Sequence, residues 1–527
     1  MLLTLCWQQT AALALAILAG SLIATVVRVW RSTLRPHGFP DGPQTAPFVG
    51  NLHQFPTSKA FLNFHEWRKT YGDIIGLKFG PQNVVILNNW KHVKELFDKR
   101  GGIYSSRPAS YIGNELICPG DTHILLVPYS AAWRSLRKSV QALLNVNSVD
   151  ALLPIQNSEA IQTIHDLIRT PDAYYDHLRR YSTAVVLASV FGQRGKTFNS
   201  EKVQALYRVQ DRFTQLLEPG ATPPIDAFPL LKYLPSFLAP WKREALAIKE
   251  EQRALYFGLL KETRAKLSIG KAESCFMSEL LRQSEKSGLS EDQIAYLGGI
   301  LMEAGSDTTA STLLSFCLAM INYPDVLQKC QAEVDALCVD HSPNSDDISK
   351  LSYIHACMNE VLRWRPVAAG GIPHVLTEDD VYGDYVIPKG TILFANTWAI
   401  HQDESQYHRP AEFIPERWLD NKYGTKHSNP DIDGRRATYG FGAGRRVCSG
   451  QRLAENSLMV NMAKLVWTFD ITSTKPADAS METGYTSGFL VCPKKFPAVF
   501  TVRSEVKAKI SEAEYVKAEQ FLSQFEE

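Results

Sequence analysis

Hydrophobic and polar positions divide the chain into stretches of different period. From Leu2 to Val27 no residue is charged, and Ala12–Val27 is an almost unbroken aliphatic run. A helix that spans a bilayer needs roughly 20 apolar residues, so residues 1–27 are expected to form a membrane anchor. Arg28, Arg31 and Arg35 follow directly. Cationic residues beside a span stay on the cytoplasmic face, which predicts a cytoplasmic body. The competing reading, a cleaved signal peptide, needs a positive segment ahead of the apolar run, and the run has none. Pro36, Pro40, Pro43 and Pro47 then forbid a helix. Residues 28–56 are expected to be a stiff, basic, Pro-rich hinge.

Beyond the hinge, Asp73–Gly80 and Asn83–Asn89 alternate or run apolar around Gly80-Pro81, the pattern of a β-hairpin. From about Trp90 to Leu362 most segments carry the helical apolar repeat, Ser352–Trp364 among them. Asp379–Asn396 returns to strand character, with turn signals at Gly383-Asp384 and Pro388-Lys389-Gly390. A Pro-rich loop leads to FGAGRRVCSG (Phe441–Gly450), and a last helix is predicted from Gln451 to about Phe469. Strand-like pieces lie at Gly488–Cys492 and Ala498–Val502. No repeat and no linker divides this body. The fold class read from the pattern is mainly α with small β-sheets, as one large domain over residues 57–503. The tail, 504–527, is charged and helix-prone and is expected to be a solvated appendage.

Composition narrows the function. The chain has 527 residues, with 56 Lys and Arg against 55 Asp and Glu. A net charge of +1 predicts no nucleic-acid partner. A 45% hydrophobic and 21% charged composition excludes a disordered chain. The nine cysteines are widely spaced, odd in number and form no C-x-x-C, so they are not a disulfide framework. No Asn-x-Ser/Thr acceptor occurs, which agrees with a body outside the secretory lumen.

Four short motifs carry candidate chemistry. In Ser290–Thr312, Ser290 and Gln293 make a capping-box start, and Glu303-Ala304-Gly305-Ser306-Asp307-Thr308-Thr309 then interrupts the apolar face. The apolar run resumes at Ser315–Ile321, which predicts a local break inside a long helix, a feature frequent at functional sites. Glu360 and Arg363, at i and i+3, read alone as a surface ion pair. Trp133 and Arg137, one turn apart, read alone as part of a basic amphipathic helix. Cys448 is more specific. A zinc site needs several Cys or His at short spacing, and none is near. A phosphatase-type loop needs an arginine six positions on, where Ala454 stands. A nucleophile needs an adjacent base, and none is adjacent. What remains is a thiolate in a glycine-permitted loop (Gly444, Gly450), favoured by backbone N–H groups that lower its pKa and by the following helix N-terminus. Arg446 beside it can meet an anion. This suits a metal-ligating thiolate next to an anionic cofactor.

Phe441, Gly444, Arg446, Cys448 and Gly450 match the Phe-x-x-Gly-x-Arg-x-Cys-x-Gly signature of the cytochrome P450 family. Ala304–Thr309 resembles that family's oxygen-activation motif. Glu360-x-x-Arg363 is similar to its helix pair, and Phe413-x-Pro415-Glu416-Arg417-Trp418 to the segment supplying the third member, Arg417. Trp133-x-x-x-Arg137 resembles its propionate-binding helix, and the hinge ending in Gly50-Asn51 that of microsomal members. The resemblance covers roughly residues 36–503. Trp418 stands where many members have Phe, a departure expected to change little.

The resemblance implies haem b with Cys448 as iron ligand, a thiolate that pushes electron density to the metal. It implies Phe441 at the cofactor loop, and Trp133, Arg137, His374 and Arg446 at the propionates. It places Ala304, Gly305 and Thr308 on the oxygen side, with Thr308 hydrogen-bonding bound oxygen and Asp307 passing protons inward. Glu360, Arg363 and Arg417 would be structural, fixing the cysteine loop. Electrons would come from an NADPH-cytochrome P450 reductase, with cytochrome b5 as an optional second donor, docking on Arg134, Lys138, Arg435, Arg436, Arg445 and Arg452. The implied reaction inserts one oxygen atom into a hydrophobic small molecule at the endoplasmic reticulum membrane. The pattern Gly370–Thr391 resembles filamentous-fungal members, which points to a polyketide, terpenoid or alkaloid intermediate of secondary metabolism. Phenol coupling, desaturation or rearrangement by the same haem, and a non-catalytic haem sensor, are the rival readings. Substrate-contact windows by family position are Ala368–Ile372, Ile103–Thr122, Phe213–Thr222 and Gly488–Leu490.

Overall fold

The computed structural model describes residues 2–271, 273–426 and 434–526, with side chains from residue 12 onward. Met1 and Glu527, at the ends of the anchor and tail assignments, and His427, one of the histidines nearest Cys448 in sequence, lie outside them. The apolar run forms helix α1 (Leu2–Ser32), which continues past the expected boundary at Val27. Its Ala12–Ser32 portion has mean hydropathy 2.2 and is long and apolar enough to cross a membrane. The proline-rich segment that follows is not helical, but it is no free tether. Arg35 Nη2 donates to the carbonyls of Pro43 (2.5 Å) and Gly76 (3.1 Å), and the Asn51 side chain accepts from the Lys78 N–H (2.9 Å). The hinge is thus docked on the first strands.

The strands are β1 (Ile74–Phe79), β2 (Gln82–Leu87), β3 (His374–Val375), β4 (Asp380–Tyr382), β5 (Tyr385–Ile387), β6 (Ile392–Ala395), β7 (Phe469–Thr472) and β8 (Val499–Val502). The predicted hairpin is β1–β2, antiparallel with Ile74 opposite Leu87. Its sheet runs β1-β2-β6-β3, with β2 and β6 parallel. The expected strand at Gly488–Cys492 does not form. Gly488, at φ +125°, breaks the extended run, and Phe489 and Leu490 line the central cavity instead.

The helices that place the site are α2 (Ala131–Leu143), α3 (Leu153–Arg169), α4 (Tyr174–Val186), α5 (Glu201–Leu216), α6 (Pro240–Ser268), α7 (Glu291–Asn322), α8 (Ser352–Trp364), α9 (Gln451–Thr468) and α10 (Glu505–Leu522). Helix α7 opens with the predicted capping box, Ser290 and Gln293 exchanging side-chain-to-backbone bonds. It threads two separate apolar clusters. Ile294–Met302 packs with α5 and α6, whereas Leu313–Met320 packs with α3, α4, α8 and α9. The polar segment 303–312 is the seam between them.

The expected break at this seam is absent, and α7 is continuous. The hydroxyls of Ser306, Thr308, Thr312 and Ser315 donate to carbonyls four residues back, at 2.7, 2.6, 3.0 and 2.9 Å. Residues that compete poorly for helix interiors are satisfied inside the helix itself. The tail also departs from expectation. Helix α10 packs along α3, buries Leu522, and pairs Glu519 with Arg194 and Lys196 and Glu512 with Arg169. Its apolar positions were masked in the sequence by this density of charge.

Candidate functional site

Cys448 sits in the loop between Tyr439 and the start of α9. Gly444 adopts φ +64°, and a Cβ there would lie 2.2 Å from the Phe97 carbonyl oxygen, so only glycine lets the loop approach that neighbour. The Cys448 N–H donates to the Phe441 carbonyl (2.9 Å). Arg137, on α2, grips the loop on both sides of the cysteine: Nη1 donates to Ser449 Oγ (3.1 Å) and Nη2 to the Val447 carbonyl (2.8 Å). The accessible face of Cys448 opens on the cavity, not on bulk water. Burial pushes its thiol up; the Gly450 N–H and the Arg137 charge pull the other way without reversing it. The expected lowering is therefore present as a contribution and outweighed by desolvation.

The cavity holds about 390 Å³ of water-accessible space. Trp133, Arg137, Ala304, Gly305, Thr308, His374, Phe441, Arg446 and Cys448 all line it, so the structure brings these predicted residues together. Arg446 donates to the carbonyls of Ser105, Ile124 and Val127 (2.8, 3.1 and 2.7 Å) and lies over the Trp133 ring at 4.5 Å. Burial lowers its pKa to about 9. His374 donates from Nδ1 to the Tyr104 carbonyl (2.7 Å) and stacks on Phe97 at 4.0 Å. Burial, then the charge of Arg107, hold its ring neutral.

Arg107 lies inside the substrate window 103–122 but was not singled out beside the cofactor residues. It is buried at the cavity wall, donating to the carbonyls of Leu125, Ile372 and Pro373 (3.1, 3.0 and 2.6 Å), and burial takes its guanidinium well below the usual range. No motif marks it; only the fold carries it there. Among the described residues none of Arg107, Arg137 and Arg446 pairs with a carboxylate. Arg107 is buried and Arg137 and Arg446 are partly buried, and cations so placed with only neutral partners are stabilised by an anion. Guanidiniums that face the cavity without a carboxylate suit a cofactor that brings two carboxylates of its own, and the Cys448 thiol beside them suits its iron, so the residues present fit haem b.

The expected basic docking face is smaller than predicted. Arg435 is buried, bonding Gln406 and Tyr407, and Arg436 pairs with Asp98 at 2.6 Å. Arg134, Lys138, Arg445 and Arg452 are exposed, and Arg452 is paired with Asp150.

On the opposite wall, Gly305 is required by packing, since a Cβ would meet Val186 of α4 at 2.4 Å. The Thr308 hydroxyl spends its proton on the Ala304 carbonyl and leaves its oxygen as an acceptor. Asp307 is not on the cavity wall. It turns toward α4, where Arg179 Nη2 is 3.7 Å away, and Arg179 also meets the surface residue Asp211 at 3.4 Å. Burial raises the Asp307 carboxyl to about 6, against the pull of Arg179.

Glu360 and Arg363 are fully buried, unlike the surface pair their spacing suggests in isolation. Arg363 donates to both Glu360 oxygens (2.9 and 2.7 Å), Arg417 adds a third contact, and the Ile414 N–H a fourth. Trp418 is not neutral, since its indole N–H donates to Glu360 Oε2 at 2.9 Å, a bond Phe has no donor to make. The network reaches the cysteine loop through His401. Arg363 Nη1 donates to the His401 carbonyl, and the Tyr439 N–H donates to His401 Nε2 (3.1 Å). Burial depresses the His401 pKa to about 3, which keeps that nitrogen an acceptor.

A second polar group at the cavity was missed. Glu303 accepts from Tyr256 Oη and from Gln252 Nε2 (3.1 Å), both on α6, and its carbonyl accepts from Gln210 Nε2 (3.0 Å) on α5. His123 Nε2 lies 3.8 Å from Glu303 Oε2, and its ring stacks on Phe213 at 5.4 Å. Glu303, Gln210 and His123 all line the cavity. Glu303 is visible in the sequence as an interruption of an apolar face, but its companions come from three distant segments. Of the substrate windows, 103–122 contributes only Arg107; its polar contact is His123, one residue beyond.

The cytochrome P450 family model matches residues 40–500. Among curated proteins, the cytochrome P450 monooxygenase patH of Penicillium expansum is 38% identical, over 92% of this chain and 93% of its own length. Cytochrome P450 monooxygenase patI of Aspergillus clavatus is 36% identical, over 96% of each chain. Cytochrome P450 monooxygenase atE of Aspergillus terreus is 35% identical, over 99% of this chain and 98% of its own. With its thiol loop, buried cations and Glu360 network in place, and with these matches across nearly its whole length, the chain belongs to the cytochrome P450 family of haem-thiolate oxidoreductases.

Proposed function

We propose that the chain is a membrane-anchored monooxygenase that inserts one oxygen atom of O2 into a hydrophobic intermediate of secondary metabolism, a polyketide, terpenoid or alkaloid. The observation that carries this is the Cys448 thiol facing a cavity whose three guanidiniums have no carboxylate partner among the described residues. Bound haem supplies the activation of dioxygen. Cys448 would ligate its iron, and Arg107, Arg446, Arg137, Trp133 and His374 would hold its carboxylates. Thr308 accepts a hydrogen bond on the oxygen side. Asp307, whose carboxyl burial raises to about 6, exchanges protons with the surface on the Asp211 side, while the Arg179 guanidinium between the two carboxyls stays protonated and orients them. Apolar walls, Val185, Val186, Ile300, Leu301, Phe489 and Leu490, exclude water from the reacting centre. Glu360, Arg363 and Arg417 hold the loop beneath.

Electrons come from NADPH-cytochrome P450 reductase, docking on Arg134, Lys138 and Arg445. The apolar α1 and an exposed apolar loop support membrane attachment at the endoplasmic reticulum, with the body cytoplasmic. Leu230, Tyr233, Phe237 and Leu238 are 83, 83, 75 and 59% exposed. Phe228 of that loop abuts Gly80, whose N–H donates to the hinge residue Val49, so loop and hinge share one edge of the body. Exposed apolar side chains beside an anchor suit a lipid surface.

The test is the carbon monoxide spectrum of reduced protein, followed by turnover with reductase under labelled dioxygen. Wild type should give a thiolate-type spectrum, and product should carry one labelled atom. Cys448→Ser should lose both. A thiolate-type spectrum retained in the variant overturns the ligand assignment; unlabelled product overturns oxygen insertion.

A further inference from the structure

Besides the cofactor cradle and scattered serines and threonines, the cavity wall carries a second polar group, formed by His123, Gln210 and Glu303. His123 is 2% exposed, and neither of its ring nitrogens has a hydrogen-bond partner among the described residues. Gln210 is 3% exposed, and its Oε1 is likewise without a donor. Unpaired buried polar atoms are costly and few in folded proteins. Here two such side chains face the same cavity as Glu303. The Glu303 carboxylate is held from behind, since Tyr256 and Gln252 both bond Oε1. Oε2 is left facing His123 Nε2 at 3.8 Å, too far for a direct bond. The Phe213 ring fixes the imidazole plane.

We propose that His123, Glu303 and Gln210 form a polar subsite that selects substrates bearing a hydroxyl group. An oxygen about 2.8 Å from both Nε2 and Oε2 fits the gap. A hydroxyl there donates to the carboxylate and accepts from the imidazole, which a ketone, an ether or a carboxylate cannot do together. Gln210 offers a second acceptor for a neighbouring donor. Glu303 precedes Thr308 by five residues on α7, about 7.5 Å along the helix axis. The hydroxyl is thus a handle set apart from the carbon to be oxidised. The inference rests on the monooxygenase reading and narrows its substrate class from hydrophobic to hydroxyl-bearing.

The test uses haem-loaded protein and ligands anchored at iron, 1-phenylimidazole and its 3- and 4-hydroxyphenyl analogues, titrated by the haem spectral shift. At least one hydroxylated analogue should bind tenfold or more tightly than the parent. Glu303→Gln, which keeps an acceptor for Tyr256, and His123→Phe, which keeps the stack on Phe213, should each reduce that preference below threefold. Parent affinity should stay within twofold. A thiolate-type carbonyl spectrum is recorded first, so loss of the haem-thiolate reading is seen separately. With that spectrum intact, hydroxylated analogues within threefold of the parent in wild type overturn the proposal. So does a preference that survives both variants, which would leave His123 and Glu303 bridged only by water.

Discussion

At the Cys448 end of the cavity, each cationic side chain is already engaged. Arg446 has three carbonyl partners, Arg107 has three, and Arg137 has the cysteine loop. At the His123 end, an imidazole and an amide oxygen have none. The first arrangement fixes positions before any ligand arrives and suits a group that enters once and stays. The second leaves bonds unmade, which suits a molecule that binds and departs on each cycle. Rigid support lies behind the first end, in the Glu360 network, and the second end hangs on helices α5 and α6.

Damage to the two ends should therefore read out differently. The largest effect is expected for Glu360→Ala, which leaves Arg363 and Arg417 buried without their acid. Breaking a buried pair costs about 3–5 kcal/mol. Haem content and unfolding midpoint should both fall, and wild-type haem content would show that the network does not hold the loop. Trp418→Phe removes one charge-assisted bond to the same carboxylate, worth about 1.5–3 kcal/mol. Denaturant unfolding should report that loss with an unchanged haem spectrum; a stability equal to wild type would make the indole bond incidental. On the other wall, Thr308→Ala should release severalfold more hydrogen peroxide per NADPH while haem content and unfolding midpoint stay put. Unchanged coupling would remove Thr308 from the oxygen side.

The smallest effect is a drift with pH. The Asp307 carboxyl titrates at about 6 in the fold against an ordinary 3.8. Its folded value is raised, so the stability of the neutral form is complete below 3.8 and is lost as pH rises through 6. Asp307→Asn does not ionise. Its unfolding midpoint should therefore gain on wild type between those two pH values and run parallel outside them. A constant difference throughout would mean that Asp307 does not titrate there.

The Cys448 end was legible in the sequence because its parts are local. A signature of ten consecutive residues, a pair one helical turn apart and a capping box each announce themselves by spacing. The hairpin β1–β2 and helix α9 were legible for the same reason. Arg107 and His123 were not, because their meaning lies in where a loop is carried by the fold. The break expected in α7 came from the interruption of its apolar face by a glycine, an acid and two threonines, read without the hydroxyl bonds to the preceding turn. Helix α10 was read as solvated because its charges find partners on segments far away in the chain. Trp418 reads as a neutral departure in the sequence because its value depends on a carboxylate 58 residues earlier.

The seam in α7 has a mechanical consequence. One helix runs through two apolar clusters, and the cavity lies where they meet. Each cluster is close-packed and resists compression on its own. Residues 303–312, where hydroxyls tie the helix to itself, therefore border both blocks and the cavity at once. The chamber is bounded by the two blocks rather than enclosed in either, so a change in their relative setting would change its volume.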